Sequence, residues 1–161
     1  MTVVAFVGLG SNLDDPLWQI TTALDELGAL SEAPLQTSPL YGSKAVGPGE
    51  QPDYVNAVAR LETPLPAPSL LAELQRIEEL HKRKRSQRWA ARTLDLDLLV
   101  YGDAVIRDPA LQVPHPRLAE RPFVLYPLFD LAPALQIPGV GPLRELLRAC
   151  PRDGIWALQD D

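Results

Sequence analysis

Between Thr93 and Tyr101 the chain reads Thr-Leu-Asp-Leu-Asp-Leu-Leu-Val-Tyr, and this alternation restricts what it can fold into. Successive side chains of a strand point to opposite sides. Leu94, Leu96, Leu98 and Val100 therefore share one face, and Asp95 and Asp97 share the other. The leucine face needs a core. The other face holds two carboxylates two residues apart, whose repulsion is relieved by a shared cation or a cationic partner. The preceding stretch, 81–92, carries Lys82, Arg83, Lys84, Arg85, Arg88 and Arg92 and no acid. Paired carboxylates suit Mg²⁺ and guanidiniums suit phosphate, so the two segments together hold the parts of a phosphoryl-transfer site.

The basic stretch is unlike the rest of the chain. The sequence of 161 residues has 15 basic and 21 acidic residues; outside 81–92, nine basic residues face all 21 acidic ones, a net charge of −12. Such a body repels nucleic acid over most of its surface. A local basic segment on it fits a small, multiply charged anion. The length fits a single domain, 1–161, with a core of its own. No apolar run approaches the roughly 20 residues of a membrane span. No basic region precedes the first strand, and the one cysteine, Cys150, fits a reducing compartment. The expectation is a cytoplasmic protein with neither a membrane nor a nucleic-acid partner.

Along the chain, Val3–Leu9 reads as a buried strand, ended by a turn at Gly8, Gly10 and Ser11-Asn12. Asp15-Pro16 starts a helix that runs to about Leu27 and stops at Gly28. A strand is expected near Leu35–Tyr41, then a long glycine- and proline-rich loop over 42–53, of a length more often functional than idle. From Tyr54 to Glu62 the pattern alternates, with Val55, Ala57, Ala59 and Leu61 opposite Tyr54, Asn56, Val58 and Arg60. A helix follows from Pro68 or Ser69 to His81, with Leu70, Leu74, Ile77 and His81 at helical spacing. After the Asp strand come an irregular stretch through Val113-Pro114-His115-Pro116, a helix over Arg121–Leu131 disturbed at Pro127, and a last helix over about Pro142–Ala149. The order predicts an α+β, ferredoxin-like βαββαβ antiparallel sheet with helices on one face and a mostly helical C-terminal extension. No P-loop or GxGxxG sequence occurs.

Several side chains fit the chemistry of the Asp pair. Arg83, Arg85, Arg88 and Arg92 can bond phosphate oxygens in bidentate fashion. Trp89 can pack on an adenine ring or anchor its loop. His115, held between two prolines, can donate to a phosphate or be a fixed surface histidine. Tyr54 and Asn56 share a strand face, an aromatic platform beside an amide that can stack and read a flat heterocycle.

These residues add up to a resemblance. Gly10-Ser11-Asn12-Leu13, Gln51-Pro52-Asp53-Tyr54-Val55-Asn56-Ala57, Arg88-Trp89 with Arg92-Thr93-Leu94-Asp95-Leu96-Asp97, and Val113-Pro114-His115-Pro116 with Arg121 and Phe123 resemble the 6-hydroxymethyl-7,8-dihydropterin pyrophosphokinases of folate biosynthesis, along nearly the whole chain. The resemblance implies transfer of pyrophosphate from ATP to the pterin alcohol with release of AMP, two Mg²⁺ ions and a ferredoxin-like fold. It implies Asp95 and Asp97 as metal ligands and, with Arg83 and Arg92, as catalytic groups. Tyr54 and Phe123 would sandwich the pterin and Asn56 would bond its edge, helped by backbone of Ser43, Lys44 and Val46. Gln75, Glu78, Arg83, Arg85, Trp89, Arg92, Leu98, His115 and Arg121 match positions that handle ATP. A monomer is expected.

The chain departs from the family pattern at Lys82-Arg83-Lys84-Arg85, which lacks a glycine; at Trp89-Ala90-Ala91-Arg92, where Gly-Pro is common; and at Ala110, where some members have arginine. Two other readings compete: a different Mg-dependent phosphoryl or nucleotidyl transferase, and a ferredoxin-like RNA-binding module. The 6% aromatic content and the acidic body disfavour the second.

Overall fold

The computed structural model describes residues 1–13, 15–45, 52–85 and 94–158; the side chains of residues 83–85 are outside that description. The first strand, β1 (Val3–Ser11), runs through Gly8 and Gly10 where the sequence suggested a turn. Helix α1 (Pro16–Gly28) starts as expected: the Asp15 carboxylate accepts from the Trp18 N–H at 3.4 Å, and Pro16 occupies the first turn, where a missing N–H costs nothing.

The strand expected near Leu35–Tyr41 is two pieces, β2 (Gln36–Thr37) and β3 (Tyr41–Ser43). Both lie along β4 (Tyr54–Thr63). Pro39 cannot donate to a ladder, and the Ser38 hydroxyl bridges the break by accepting from the Val58 N–H at 3.0 Å.

Helix α2 (Ala67–Arg85) continues four residues past His81 into the basic stretch. Lysine and arginine are good helix formers, they suit a helix C-terminus, and no glycine interrupts Lys82–Arg85. His81 is fully buried. Its Nδ1 lies 2.5 Å from Gln19 Oε1 and its Nε2 2.5 Å from Glu26 Oε1, tying α2 to α1.

The Asp strand is β5 (Asp95–Tyr101). The main sheet runs β3-β4-β1-β5 with every pair antiparallel, the ferredoxin-like order. A C-terminal strand the sequence did not reveal, β10 (Ile155–Ala157), extends the sheet beyond β3. Between β5 and β10 lie a hairpin β6/β7 (Ile106–Asp108, Leu111–Val113), a cis Val113–Pro114 bond, a 3₁₀ turn (Leu118–Glu120), α3 (Pro122–Leu131), a short hairpin β8/β9 (Gln136–Ile137, Gly141–Pro142) and α4 (Leu143–Arg148). Helix α3 continues through Pro127.

The sheet buries both faces. On one, Ala5, Val7 and Leu9, with Ala57, Ala59 and Leu61 and with Leu96 and Leu98, pack under Ile20, Ala23, Leu27, Leu70, Leu74 and Ile77 of α1 and α2. On the other, Phe6, Val58, Leu99 and Val100 pack under Leu118 and Val124, Leu125 and Leu128 of α3. Val100 is on the face opposite to the one the alternation predicts. Val7 pairs with Leu98 but Phe6 pairs with Val100, so Leu99 is an extra residue in the ladder and the facing inverts after it. The apolar cover of this second face reaches Gly8, where Leu99 Cδ1 lies 3.4 Å from the place a Cβ would take, and stops short of Gly10, where the site opens.

Candidate active site

Three adjacent strands form the floor. From β4 come Tyr54 and Asn56, from β1 Gly8 and Gly10, and from β5 Asp95 and Asp97. Gly10 pairs with Asn56 on one side and Asp95 on the other, while Gly8 pairs with Asp97. Gly10 keeps the middle row clear beside Asn56: a Cβ there would sit 3.3 Å from Asn56 Oδ1 and 3.9 Å from Tyr54 Cδ1, whereas a Cβ on Gly8 would meet the Leu99 side chain at 3.4 Å. Above this floor is a cleft of about 580 Å³. Its walls are Ser43 and Lys44, the segment Arg117, Glu120, Arg121, Pro122 and Phe123, and the C-terminal residues Asp153, Gly154 and Ile155.

The two ends of the cleft differ in chemistry. At one end Asn56 and Ser43 are both buried, and Asn56 Nδ2–H donates to Ser43 Oγ at 2.7 Å. That bond orients the amide and leaves its Oδ1 over Gly10. Tyr54 adjoins it; burial, and then the charge of Asp95, push its phenol above the usual range. At the other end Arg121 Nη1 lies 3.4 Å from Asp97 Oδ2, with its guanidinium 5.7 Å from the Phe123 ring centre. His115 Nε2 lies 3.9 Å from Asp97 Oδ1. The His115 N–H donates to the Leu99 carbonyl, and its Nδ1 accepts from the Arg117 N–H at 3.1 Å, so Nε2 carries the proton facing Asp97. Burial lowers the His115 pKa; Asp97 opposes that, and Arg121 and Arg117 add to it. No ion pair of the Arg117 guanidinium occurs among the described residues.

The carboxylate pair suits Mg²⁺. Both groups are hard oxygen donors on one open face, their Cα atoms about 7 Å apart by strand rise. Among the described residues no cluster of three or more His, Cys, Asp or Glu side chains forms a closed cage. An open two-carboxylate site leaves the remaining coordination positions to water and phosphate, as Mg²⁺ prefers.

Of the residues singled out in the sequence, Ser43, Lys44, Tyr54, Asn56, Asp95, Asp97, Arg121 and Phe123 meet in this one cleft, and His115 adjoins it through Asp97. Leu98 does not: its side chain is buried in the core under α1 and α2, on the face away from Asp97. Gln75 is exposed on α2. Glu78 accepts from the Leu96 N–H at 2.8 Å and so holds β5 from its outer side. Val46, Arg88, Trp89 and Arg92, and the side chains of Arg83 and Arg85, lie outside the described residues. The sequence reading missed Gly8, Gly10, Arg117, Glu120, Asp153, Gly154 and Ile155. The glycines carried a signal in their alternation with Val7 and Leu9; the C-terminal three carried none.

A family model described as 7,8-dihydro-6-hydroxymethylpterin-pyrophosphokinase matches residues 6–133. The chain belongs to this family. A 2-amino-4-hydroxy-6-hydroxymethyldihydropteridine pyrophosphokinase of Pseudomonas aeruginosa is 50% identical over 154 residues, covering 95% of each chain. One of the same description from Haemophilus influenzae is 46% identical over 147 residues, 91% of this chain and 92% of that one. The fold recurs in the crystal structure of wild-type Plasmodium falciparum HPPK-DHPS, with a TM-score of 0.72 at 16% identity. That match covers 92% of this pyrophosphokinase-family chain and 44% of the longer one.

Proposed function

We infer that this protein transfers the pyrophosphoryl group of ATP to 6-hydroxymethyl-7,8-dihydropterin, in folate biosynthesis, within the cleft between Asn56 and Asp97. The supporting observation is that one floor carries an aromatic and amide end suited to a flat heterocycle and, one strand beyond the glycines, a carboxylate pair suited to a metal-bound phosphate chain.

Tyr54 and Phe123 take the two faces of the pterin, and Asn56, fixed by Ser43, reads its edge, with the backbone of Ser43, Lys44 and Val46 completing the pocket. The hydroxymethyl group then points along Gly10 toward Asp95 and Asp97. The pterin oxygen attacks the β-phosphorus of ATP, the bond from that phosphorus to the α–β bridging oxygen breaks, AMP leaves, and the hydroxyl loses its proton. Asp95 and Asp97 would hold two Mg²⁺ ions, which supply charge neutralisation across the phosphates. Arg121 and His115, both beside Asp97, steady that carboxylate and offer N–H donors where charge develops. Arg83, Arg85, Trp89 and Arg92 belong to the nucleotide side, where the arginines counter the triphosphate charge. Gln75 and Glu78 join them from α2, Glu78 by holding β5 at Leu96; Leu98 reaches the nucleotide through backbone alone. Positioning and electrostatics carry the rate, with no covalent enzyme intermediate.

The protein acts as a single domain and a monomer in the cytoplasm, with ATP and the reduced pterin as its partners and no nucleic-acid or membrane partner. The acidic body supports the absence of a nucleic-acid partner. Among the described residues no helix is long and apolar enough to cross a membrane.

Incubation with ATP, Mg²⁺ and the reduced pterin alcohol, followed by nucleotide chromatography, tests the reading. AMP in proportion to pterin diphosphate is expected. ADP would mean a simple kinase, and free pyrophosphate a nucleotidyl transferase.

A further inference from the structure

The far wall of the cleft is built by β10, a strand that neither the Asp pair nor the helices explain. Among the described residues it pairs with β3 alone within the sheet: Ile155 with Ser43, Trp156 with Gly42, and Ala157 with Tyr41. Its ends are fastened by the Lys44 N–H to the Gly154 carbonyl at 3.0 Å and the Leu158 N–H to the Leu40 carbonyl at 2.9 Å. On its inner side β3 pairs with β4, Ser43 opposite Tyr54. Ser43, the partner of Asn56, is thus flanked by Ile155 and Tyr54, all three of them cleft residues.

Alternation puts Tyr41, Ser43 and Ile155 on the cleft side and Gly42 and Trp156 on the reverse. There the indole occupies the volume a side chain at residue 42 would need. A Cβ on Gly42 would fall 2.4 Å from Trp156 Nε1, 2.5 Å from Cε2 and 2.7 Å from Cζ2, distances real atoms do not adopt. The ring therefore lies against bare backbone of β3. A strand of three residues has little holding it in place by itself. Two backbone ladders and an indole on its back hold this one.

We propose that Trp156 is a positioning residue for the heterocycle end of the cleft, acting through Gly42 to fix Ser43 against Asn56. The proposal rests on the pyrophosphokinase reading and adds to it a determinant from the C-terminal strand. Its consequence is a split. Ser43 and Asn56 belong to β3 and β4, whereas Asp95 and Asp97 belong to β5, beyond β1. Loosening Trp156 frees the Asn56 amide to rotate, so the donor and acceptor pattern offered to the pterin blurs. The phosphate end keeps its own supports, Arg121, His115 and the β1–β5 ladder.

The test uses the full chain with Trp156→Ala, Trp156→Phe, Gly42→Ala and the double variant Gly42→Ala/Trp156→Ala. Calorimetry measures affinity for the pterin alcohol and, separately, for a nonhydrolysable ATP analogue with Mg²⁺; steady-state rates and thermal melting accompany it. Trp156→Ala should weaken pterin affinity and raise the pterin KM by about tenfold, the order of one lost buried polar interaction. Nucleotide affinity should stay within about twofold, as expected of sites without shared partners. Trp156→Phe should recover most of the loss. Gly42→Ala should mimic Trp156→Ala by displacing the ring, and the double variant should be less impaired than the two single losses combined. If Trp156→Ala proves too unstable, Gly42→Ala and Trp156→Phe carry the comparison. Unchanged pterin affinity in Trp156→Ala or Gly42→Ala, or equal losses for pterin and nucleotide, overturns the proposal. A wild-type protein that forms no AMP overturns the pyrophosphokinase reading instead.

Discussion

Gly10→Ala separates what the floor does for catalysis from what it does for stability. The new methyl group would stand in the row between Asn56 and Asp95, 3.3 Å from Asn56 Oδ1 and 3.9 Å from Tyr54 Cδ1. The first contact is tight but yields to a shift of a few tenths of an ångström, and the backbone at residue 10 is not in the left-handed region. Replacing a strand glycine by alanine gains about 0.5–1 kcal/mol from reduced unfolded-state freedom, which offsets the tight contact. The melting temperature should therefore stay within about 4 °C of wild type. Catalysis should not stay level. In the proposed pose the methyl stands in the path of the pterin hydroxymethyl toward the phosphates, and a displacement of about 1 Å at a reacting centre costs up to about 100-fold. A fall in kcat/KM of about 10- to 100-fold is expected, equivalent to about 1.4–2.7 kcal/mol of transition-state stabilisation. The assay is steady-state AMP formation at saturating ATP with pterin varied, alongside scanning calorimetry. Gly28→Ala, where nothing lies within 4 Å of the added Cβ, is the control. Wild-type kinetics in Gly10→Ala, or a loss of activity matched by a loss of stability, would refute the reasoning.

Three further outcomes are expected. Tyr54→Ala should weaken pterin binding by about 1–3 kcal/mol, the range for a lost base–aromatic stack, as read by calorimetry; unchanged affinity removes Tyr54 from the pocket. Leu98→Ala should cost about 2–5 kcal/mol of stability by denaturant unfolding, as a buried leucine does, while the folded fraction binds the ATP analogue as before; a selective nucleotide defect would mean that its side chain reaches the ligand. Burial and the hydrogen bond its hydroxyl donates to Asp130 push the Tyr41 phenol from 10.0 up to about 12. The folded state thus keeps a proton that the unfolded chain releases above its own pKa, so stability is full below pH 10 and declines between pH 10 and 12. Ultraviolet titration of wild type against Tyr41→Phe should show one phenol missing from the late-ionising set, and its appearance near pH 10 would contradict the hydrogen bond.

How far the sequence foretold this molecule follows from which signals were local. Asp15-Pro16, the two alternating strands and the helix rows are local, and they gave the βαββαβ order. The inversion at Val100 is not, because the extra residue Leu99 exists only relative to the spacing of Phe6 and Val7 on another strand. The break at Pro39 was visible, but its repair by Ser38 depended on Val58, 20 residues away. Strand β10 is three residues whose identity as a strand comes wholly from β3. In the candidate site, the Asp pair, Tyr54 and Asn56 are readable from their own chemistry, whereas Arg121 and Phe123 come only through the family resemblance. Gly8 and Gly10 read as a turn in the sequence because absence of a side chain says nothing of what stands on either side. Leu98 belongs to the core because its neighbours in the strand, Asp97 and Leu99, face the other way.

The account turns on Asp95 and Asp97 gripping divalent cations against the phosphate chain. A crystal of the protein with a nonhydrolysable ATP analogue, the pterin alcohol and Mn²⁺ in place of Mg²⁺ measures this directly through anomalous scattering. Anomalous peaks are expected between these two carboxylates and the phosphate oxygens, with the pterin hydroxyl facing the β-phosphorus. Nucleotide bound in the cleft with both carboxylates turned from it, and manganese absent from their reach, would contradict the account.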